Sequence, residues 1–174
     1  LVRDGRRGVA HLALDRPDRP PEPLPVPTEK VSRAAFDPDG RFLALGFEDG
    51  RVHLYDAASS APLGKLEGQD GRVTAVCISP NGQTAVVGTA LGALSLWKPE
   101  TGSTVPLMHD GPIPRTCHFS EDDQSLVVQY GTDAEVWSLS GPDPRRLIVA
   151  PTRRPAGGGT AYIDAKQRAL VSLG

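Results

Sequence analysis

The sequence has few cysteines, few aromatic residues and no long apolar run. Its 174 residues include only Cys77 and Cys117, without the Cys-x-x-Cys or paired Cys/His spacing of a zinc site. Two cysteines are too few for a disulfide framework, so we expect a reducing compartment. No stretch approaches the roughly 18 apolar residues of a membrane span, and the N-terminal residues lack the pattern of a secretion signal. These absences predict a cytoplasmic protein that does not enter a membrane.

An excess of charge of one sign is also lacking. The formal net charge is -2, and no block of basic residues stands apart from the acidic ones. A nucleic-acid partner is therefore not expected, because binding to phosphates needs a basic surface. Arginine outnumbers lysine 15 to 4, and together with abundant alanine, glycine and proline this fits a GC-rich bacterial genome.

The motifs of common catalytic sites are missing as well. There is no Gly-x-Ser-x-Gly, no phosphate-binding loop and no His-Glu-x-x-His. The run from Asp37 to Gly40 resembles the start of a calcium loop, but the matching run from Ser79 to Gly82 carries no charge, which favours a turn. None of the four histidines has a carboxylate at a spacing that would orient it as a base. The sequence predicts no catalytic residue, no metal site and no cofactor.

Turn-forming residues and an internal repeat are what the sequence does contain. Its 19 glycines and 17 prolines, with only 5% aromatic residues, suggest many turns and an all-β fold. Residues 36–56 read FDPDGRFLALGFEDGRVHLYD and match CISPNGQTAVVGTALGALSLWK at a constant offset of 42, so that Tyr55 aligns with Trp97. A third copy reads HFSEDDQSLVVQYGTDAEVWS, with Phe119 41 residues after Ile78. The chain is thus built from repeats.

Each copy divides into four short strands. In the first copy these are residues 31–36, 41–46, 51–55 and 62–67, and Asp-Gly turns follow the first and second strands. Asp-Gly and Asn-Gly accept the positive φ of tight hairpins, so the strands pair antiparallel. A four-stranded meander with two apolar faces must stack against its own copies, and radial stacking of such sheets gives a β-propeller.

The repeats divide the chain into five segments. Residues 31–72, 73–112 and 113–156 are full repeats. Residues 1–30 are expected to hold the last two strands of a preceding blade with a proline-rich outer strand, and residues 157–174 the first hairpin of a further, truncated repeat. Together they make about four blades' worth of strands, which we interpret as an open arc of a larger ring.

The two cysteines fall on the first strands of the second and third copies. Cys77 is one residue before Ile78, whereas Cys117 is two residues before Phe119, so their registers differ. Because neighbouring strand residues point to opposite sides, the two cysteines are expected to face opposite ways, each as a small core residue.

The repeat resembles that of the WD-repeat (WD40) family. The family's V-x-x-V-x-F-S-P-D-G hairpin, apolar strand, D-G-x-V-x-L-W strand and T-G loop correspond in the second copy to VTAVCISPNGQ, TAVVG, LGALSLW and Thr101-Gly102. The resemblance extends over nearly the whole chain. It implies a propeller of seven blades, of which this chain would form a part.

The resemblance also implies structural roles for four residues. In the family a His, a turn Asp, a Ser or Thr and a strand Trp form a hydrogen-bonded chain in each blade; the matching residues are Asp49, Trp97, His109 and Trp137. No copy keeps the whole set, since Tyr55 replaces the Trp in the first copy and Leu91 the Asp in the second. We therefore expect blades held mainly by apolar packing.

The proline-rich run RPDRPPEPLPVP allows three interpretations. It occupies the place of an ordinary fourth strand, and its prolines at 21, 23, 25 and 27 would leave one strand edge without N–H donors. Leu24 and Val26 could then pair inward, as in an outermost strand that resists further pairing. An unpaired polyproline segment and a recognition motif are the alternatives.

The resemblance implies a function in protein binding. The loops at one end of the ring are the expected binding site, and their candidate residues for a protein or peptide partner are Arg33, Glu48, Arg72, Leu91, Arg115 and Tyr130. We therefore predict a non-catalytic scaffold within a larger intracellular multidomain protein, with other domains of the same chain as further partners. The alternative is a segment of a lactonase-like or quinoprotein-like propeller enzyme.

Overall fold

The structure is a computed structural model that describes residues 2–4, 8–11, 22–23, 30–131, 133–141, 143–151, 161–164 and 169–172. Its strands in chain order are β1 (Val2–Asp4), β2 (Gly8–His11), β3 (Glu22–Pro23), β4 (Val31–Phe36), β5 (Phe42–Phe47), β6 (Val52–Asp56), β7 (Pro62–Leu66), β8 (Val73–Ile78), β9 (Ala85–Thr89), β10 (Leu94–Lys98), β11 (Ser103–Met108), β12 (Thr116–Phe119), β13 (Ser125–Tyr130), β14 (Asp133–Ser138), β15 (Arg145–Pro151), β16 (Ala161–Asp164) and β17 (Ala169–Ser172).

Three four-stranded antiparallel sheets form the centre of the fold. The first blade is β4 to β7, the second β8 to β11 and the third β12 to β15, and each is a meander in which strands adjacent in sequence are paired. The predicted all-β fold of four-stranded blades is confirmed, and the strands of the first blade begin within one residue of their predicted starts. The part of the chain that the structure describes has no helix long and apolar enough to cross a membrane.

In each of the three blades, the residue that follows the first, innermost strand closes the first hairpin. The carboxylate of Asp37 accepts a hydrogen bond of 2.7 Å from the N–H of Phe42. The hydroxyls of Ser79 and Ser120 accept the matching bonds at 3.0 and 2.9 Å in the second and third blades. Because the Asp37 carboxylate is used in this way, its side chain serves the turn, as the sequence predicted.

Adjacent blades approach each other closely at two equivalent glycines. A Cβ at Gly46 would lie 2.5 Å from Cγ1 of Val73, and one at Gly88 would lie 2.7 Å from Cβ of Pro114. Each of these glycines therefore provides the space for the first residues of the next blade. Apolar clusters fill the two interfaces, with Trp97 in the cluster between the first and second blades and Trp137 in the cluster between the second and third.

The two ends of the chain add further strands. Three strands, β1, β2 and β3, form one antiparallel sheet in residues 1–30, where the sequence analysis predicted two. Residues 2–4 stand before an Asp-Gly dipeptide in the sequence, Asp4-Gly5, which was a signal for a strand at this position. In the proline-rich run, Glu22 and Pro23 pair with His11 and Ala10. Leu24 and Val26, on which the outer-strand interpretation depends, lie outside the described residues.

The cysteines form a disulfide, which the sequence analysis did not predict. Cys77 and Cys117 are bonded, with their Cα atoms 5.9 Å apart. Both are core residues as expected, and they do point to opposite faces of their own sheets. In a radial stack, however, opposite faces of two neighbouring sheets are the ones turned toward each other. The register difference that was thought to separate the two sulfur atoms therefore brings them together.

Candidate protein-interaction face

Turns and loops of successive blades meet at one end of the sheets. The N–H of Glu48 donates to the carbonyl of Lys30 at 3.0 Å, and the N–H of Ala90 donates to the carbonyl of Arg72 at 2.9 Å. Each turn between the second and third strands is thereby fixed against the residue that precedes its own first strand. We call this end the loop face and define it as residues 47–51, 67–72, 89–93 and 109–115.

The loop face of the second blade exposes two aliphatic side chains. Leu91 is 62% exposed and Ile113 is 40% exposed. Leu91 rests on the backbone of Gly71, where a Cβ would lie 3.0 Å from its Cγ. Leu91 was a predicted binding residue, whereas Ile113 was missed. Its position in a loop between Pro112 and Pro114 was the signal that could have identified it, because a large aliphatic residue there has no strand to pack on.

Two arginines beside these aliphatic side chains have free guanidinium groups. Arg72 and Arg115 are exposed, and neither side chain forms an ion pair or hydrogen bond within the described part of the chain. The same face also exposes acidic residues, so it carries both signs of charge; they are Glu48, Asp49, Glu67, Asp70 and Asp110. Arg72 and Arg115 are the arginines of the loop face that form no ion pair, since Arg51 is paired with Asp49.

Arg33 is exposed as well, but its guanidinium group is engaged. Its Nε donates to the carbonyl of Thr74 at 2.6 Å, and its NH1 group donates to the carbonyl of Ser32 at 2.8 Å. Arg33 therefore joins the first blade to the second. Of the three predicted arginines it is the one with a structural task.

Asp49 is paired inside its own turn. Its carboxylate accepts a hydrogen bond of 2.6 Å from Nε of Arg51, and the hydrogen bond and charge of Arg51 hold the pKa of Asp49 below its usual value. The resemblance had implied a bond from this Asp to a histidine. The candidate histidine, His109, is exposed and belongs to the second blade, and no hydrogen bond to it forms within the described ranges.

Tyr130 was predicted as an exposed binding residue, and its exposure was wrong. The side chain is 6% exposed, and its hydroxyl donates to Oε2 of Glu135 at 2.9 Å. Burial and the nearby Glu135 carboxylate raise the pKa of Tyr130 above its usual value. Tyr130 ends β13 and belongs to the same buried cluster as Leu126 and Val128, so its ring continues the packing of that strand in the core.

A buried polar network surrounds Glu135 in the third blade. Besides Tyr130, Nε1 of Trp137 donates to Oε2 at 3.2 Å and NH1 of Arg146 donates to Oε1 at 3.0 Å. Glu135 itself is 4% exposed. Apolar packing was expected to be the main force that holds the blades; in the third blade a buried carboxylate that accepts from three donors adds to it.

The other two blades place different chemistry at the positions of this network. In the first blade, the ring centroids of Phe47 and His53 are 4.8 Å apart, and Nδ1 of His53 lies 3.2 Å from the hydroxyl of Tyr55. In the second blade, Thr89 and Trp97 are fully buried, and neither Oγ1 of Thr89 nor Nε1 of Trp97 has a hydrogen-bond partner in the described ranges. Trp97 and Trp137 are thus both core residues, but among the described residues the hydrogen-bonded chain implied by the resemblance is not formed.

An open cleft runs along the inner strands of the three blades. It has a volume of about 510 Å³ and is lined by residues of β4, β8 and β12. Arg33 and Arg115 lie on its wall toward the loop face, and Phe36, His118 and Phe119 lie further along it. Among the described residues no group of three or more His, Cys, Asp or Glu side chains is arranged to hold a metal ion.

Two protein-family models match the chain. The model of the Anaphase-promoting complex subunit 4 WD40 domain matches residues 23–69, and the model of the WD domain, G-beta repeat, matches residues 60–98. The two matches overlap in the fourth strand of the first blade.

Similar curated proteins match over part of their length. The chain is 24% identical over 133 residues to Target of rapamycin complex subunit LST8 from Bos taurus, covering 74% of this chain and 41% of that protein. It is 32% identical over 77 residues to human Serine-threonine kinase receptor-associated protein, covering 44% of this chain and 22% of that protein. The chain thus spans well under two thirds of these relatives.

Solved structures share the fold. The crystal structure of the Myceliophteria thermophila Cps50 (Swd1) β-propeller domain superposes with a TM-score of 0.65 at 16% identity, covering 84% of this chain and 51% of that one. A chain of the crystal structure of the Mitotic Checkpoint Complex superposes with a TM-score of 0.66 at 21% identity, covering 86% and 48%. The described blades therefore correspond to about half of each of these chains.

Proposed function

The chain belongs to the WD40-repeat β-propeller family, and on this basis we propose that it is a non-catalytic scaffold that binds a protein or peptide on its loop face. The observation that carries the proposal is the pair of exposed aliphatic residues, Leu91 and Ile113, beside the unpaired Arg72 and Arg115. Arginines are enriched among the residues that contribute most to protein interfaces, and exposed apolar side chains beside polar ones are typical of interaction sites. Tyr130 is not part of this surface.

The partner class that fits this surface is an acidic segment with an apolar side chain. Arginine binds carboxylates through two parallel hydrogen bonds. Within the described part of the chain, neither Arg72 nor Arg115 forms an ion pair with a carboxylate. Glu48 and Asp110 would repel acidic residues elsewhere on the face. An acidic segment would therefore lie between the two arginines, with its apolar residue on Leu91.

The relatives support a role in assemblies. The names of two of them describe a complex subunit and a receptor-associated protein. We infer that the repeats act within a longer propeller and a larger intracellular protein, since the chain covers 41% of the first of these relatives. The cytoplasmic location and the bacterial source stay predictions. No specific observation on the described residues favours the propeller-enzyme alternative.

Binding of synthetic peptides by variants of the full protein tests the proposal. An array would present peptides in which one leucine, phenylalanine or tryptophan is flanked by glutamates. We expect Leu91→Ala and the double variant Arg72→Ala/Arg115→Ala to weaken binding of the selected peptides by about tenfold or more, roughly the effect of losing one good interface contact.

Leu63→Ala is the matched control, because Leu63 is also an exposed aliphatic residue, 45% exposed, but lies on the outer strand β7. It should bind the peptides like the wild type. Equal loss of binding in Leu63→Ala, or an array without any peptide bound above the uncharged background, would contradict the proposed site.

A further inference from the structure

The disulfide lies at the wall of the open cleft. Cys77 and Cys117 belong to β8 and β12, the inner strands of adjacent blades, and both residues line the cleft together with Arg33 and Arg115. They are 8% and 5% exposed. The bond therefore joins two blades at their inner edge, and Cys117 is two residues after Arg115 in the chain.

Hydrogen bonds join the first and second blades where their inner strands begin. The hydroxyl of Ser32 donates to the carbonyl of Val73 at 2.8 Å, next to the bond from Arg33 to Thr74. These two bonds fasten the beginning of β4 to the beginning of β8. They are made by residues in a bulge of the first strand, where the register shifts between Val31 and Arg33.

The matching bonds are not made between the second and third blades. Thr74 occupies the position of Ser32, but its buried Oγ1 has no partner among the described residues, and Ala75 occupies the position of Arg33. Near the opposite end of these blades the backbone of Asn81 lies close to the Asp123 carboxylate. Among the described residues, the disulfide is thus the side-chain link at the inner edge of this interface, whereas the preceding interface has hydrogen bonds at the beginnings of its inner strands.

We propose that the disulfide between Cys77 and Cys117 is a redox control on the cleft and the loop face. In the oxidised form it holds β12, and with it Arg115, against β8. In the reduced form no covalent link or polar side-chain bond of the described residues replaces it at the inner edge. The third blade then moves more freely, and Arg115 loses its fixed distance from Arg33 and Leu91. The inference rests on the proposed function, since the loop face is the site that would be controlled.

The chemistry needs a dithiol reductant. One thiolate of the dithiol attacks Sγ of Cys77 or Cys117, which forms a mixed disulfide and releases the other cysteine as a thiolate. The second thiol of the reductant then displaces the first cysteine. Two electrons and two protons pass to the protein, which gains two thiols, and the reductant leaves as a disulfide. A disulfide oxidant of the same class reverses the exchange.

Thiol counting, thermal unfolding, hydrogen exchange and peptide binding on the full protein test the proposal, with and without dithiothreitol. Under native conditions we expect reduction to release both thiols. The Tm should then fall by about 10 °C, as expected for opening a cross-link of this span, and exchange in β12 should accelerate about tenfold. The glutamate-flanked peptides selected by the array should bind severalfold more weakly, and re-oxidation should restore all values.

The double variant Cys77→Ser/Cys117→Ser should match the reduced wild type and show no response to dithiothreitol, and Cys77→Ala/Cys117→Ala serves where the serine pair does not fold. A disulfide that opens only in denaturant, cysteines that are free before reduction, or unchanged exchange in β12 after reduction would each overturn the control. Absence of peptide binding in both redox states would count against the proposed function alone, because thiol release, Tm and exchange are read without a partner.

Discussion

Tyr130 donates a hydrogen bond of 2.9 Å to Glu135 in the interior of the third blade. The same carboxylate accepts from Trp137 and Arg146. Two of these bonds join another strand to β14, since Tyr130 ends β13 and Arg146 lies on β15, whereas Trp137 lies on β14 itself. The network therefore joins three strands of the third blade through a single buried side chain. The second blade instead relies on packing around Trp97.

Removal of the Glu135 side chain should destabilise the protein strongly. Glu135→Ala leaves the buried N–H of Trp137 and hydroxyl of Tyr130 without their acceptor, and each unsatisfied buried group costs about 1–3 kcal/mol. We expect the free energy of unfolding, measured with urea, to fall by about 3 kcal/mol.

Ser95→Ala is the control for this experiment. Ser95 has the position of Glu135 in the second blade and is also buried, but no hydrogen bond of its hydroxyl forms within the described residues. Its replacement should cost less than about 1 kcal/mol. Similar losses in the two variants would show that the network contributes nothing beyond packing.

The bond from Tyr130 to Glu135 should also give the stability a dependence on alkaline pH. The folded protein raises the pKa of Tyr130 above its ordinary value of 10.0, through burial and the Glu135 carboxylate. The folded state therefore keeps this proton where the unfolded chain has lost it, so its stabilising contribution is complete below about pH 10 and declines as the pH rises further.

The variant Tyr130→Phe has no hydroxyl at this position and so loses this dependence of stability on pH. At about pH 8 it should be less stable than the wild type by about 1 kcal/mol, the value of one hydrogen bond, and the difference should shrink as the pH rises above 10. Burial raises the pKa of Tyr55 too, but that group is present in both proteins and cancels. A difference that stays constant from pH 8 to about 11 would contradict this assignment.

Most of the blade architecture follows from the sequence because it is encoded locally. Asp39-Gly40 and Asn81-Gly82 place a glycine where φ is positive, at 69° and 72°, and strand lengths follow from the spacing of such turns. The loops of the candidate site could be placed for the same reason. Leu91 is exposed as predicted, since a turn two residues past a strand offers no neighbour to cover it.

The features that the sequence did not yield depend on how blades meet. Glu135 sits in an ordinary alternating strand, and only the structure brings Tyr130, Trp137 and Arg146 to it. The disulfide was missed because the register of Cys77 and Cys117 was judged within one sheet, whereas their contact is set by the facing of two sheets. Contacts across sheets are not encoded in the local pattern.

Gly40 and Gly82 offer a matched test of the interface between the first and second blades. Both have positive φ and occupy the same turn position in their blades. A Cβ at Gly40 would meet nothing within 4 Å, whereas one at Gly82 would lie 2.6 Å from Cδ2 of Phe42 in the first blade. Gly40→Ala should therefore cost about 1 kcal/mol of backbone strain.

Gly82→Ala carries the same strain and must also displace the ring of Phe42. We expect it to cost about 1–2 kcal/mol more than Gly40→Ala in urea unfolding, the usual range for overpacking. Equal costs for the two variants would mean that the ring moves aside freely and that this contact does not hold the blades together.

The two tryptophans separate the contribution of packing from that of hydrogen bonding. Both side chains are buried, but Nε1 of Trp137 donates to Glu135, while Nε1 of Trp97 has no partner in the described ranges. Replacement by phenylalanine removes similar volume at both sites. It takes a donor away from Glu135 in Trp137→Phe but removes an unsatisfied donor in Trp97→Phe. We therefore expect Trp137→Phe to be the more destabilising of the two by about 1–2 kcal/mol.

The control is to make each replacement separately in the Glu135→Ala protein, where the difference between the two should vanish. A larger loss for Trp97→Phe would mean that its N–H finds a bound water or another partner in solution.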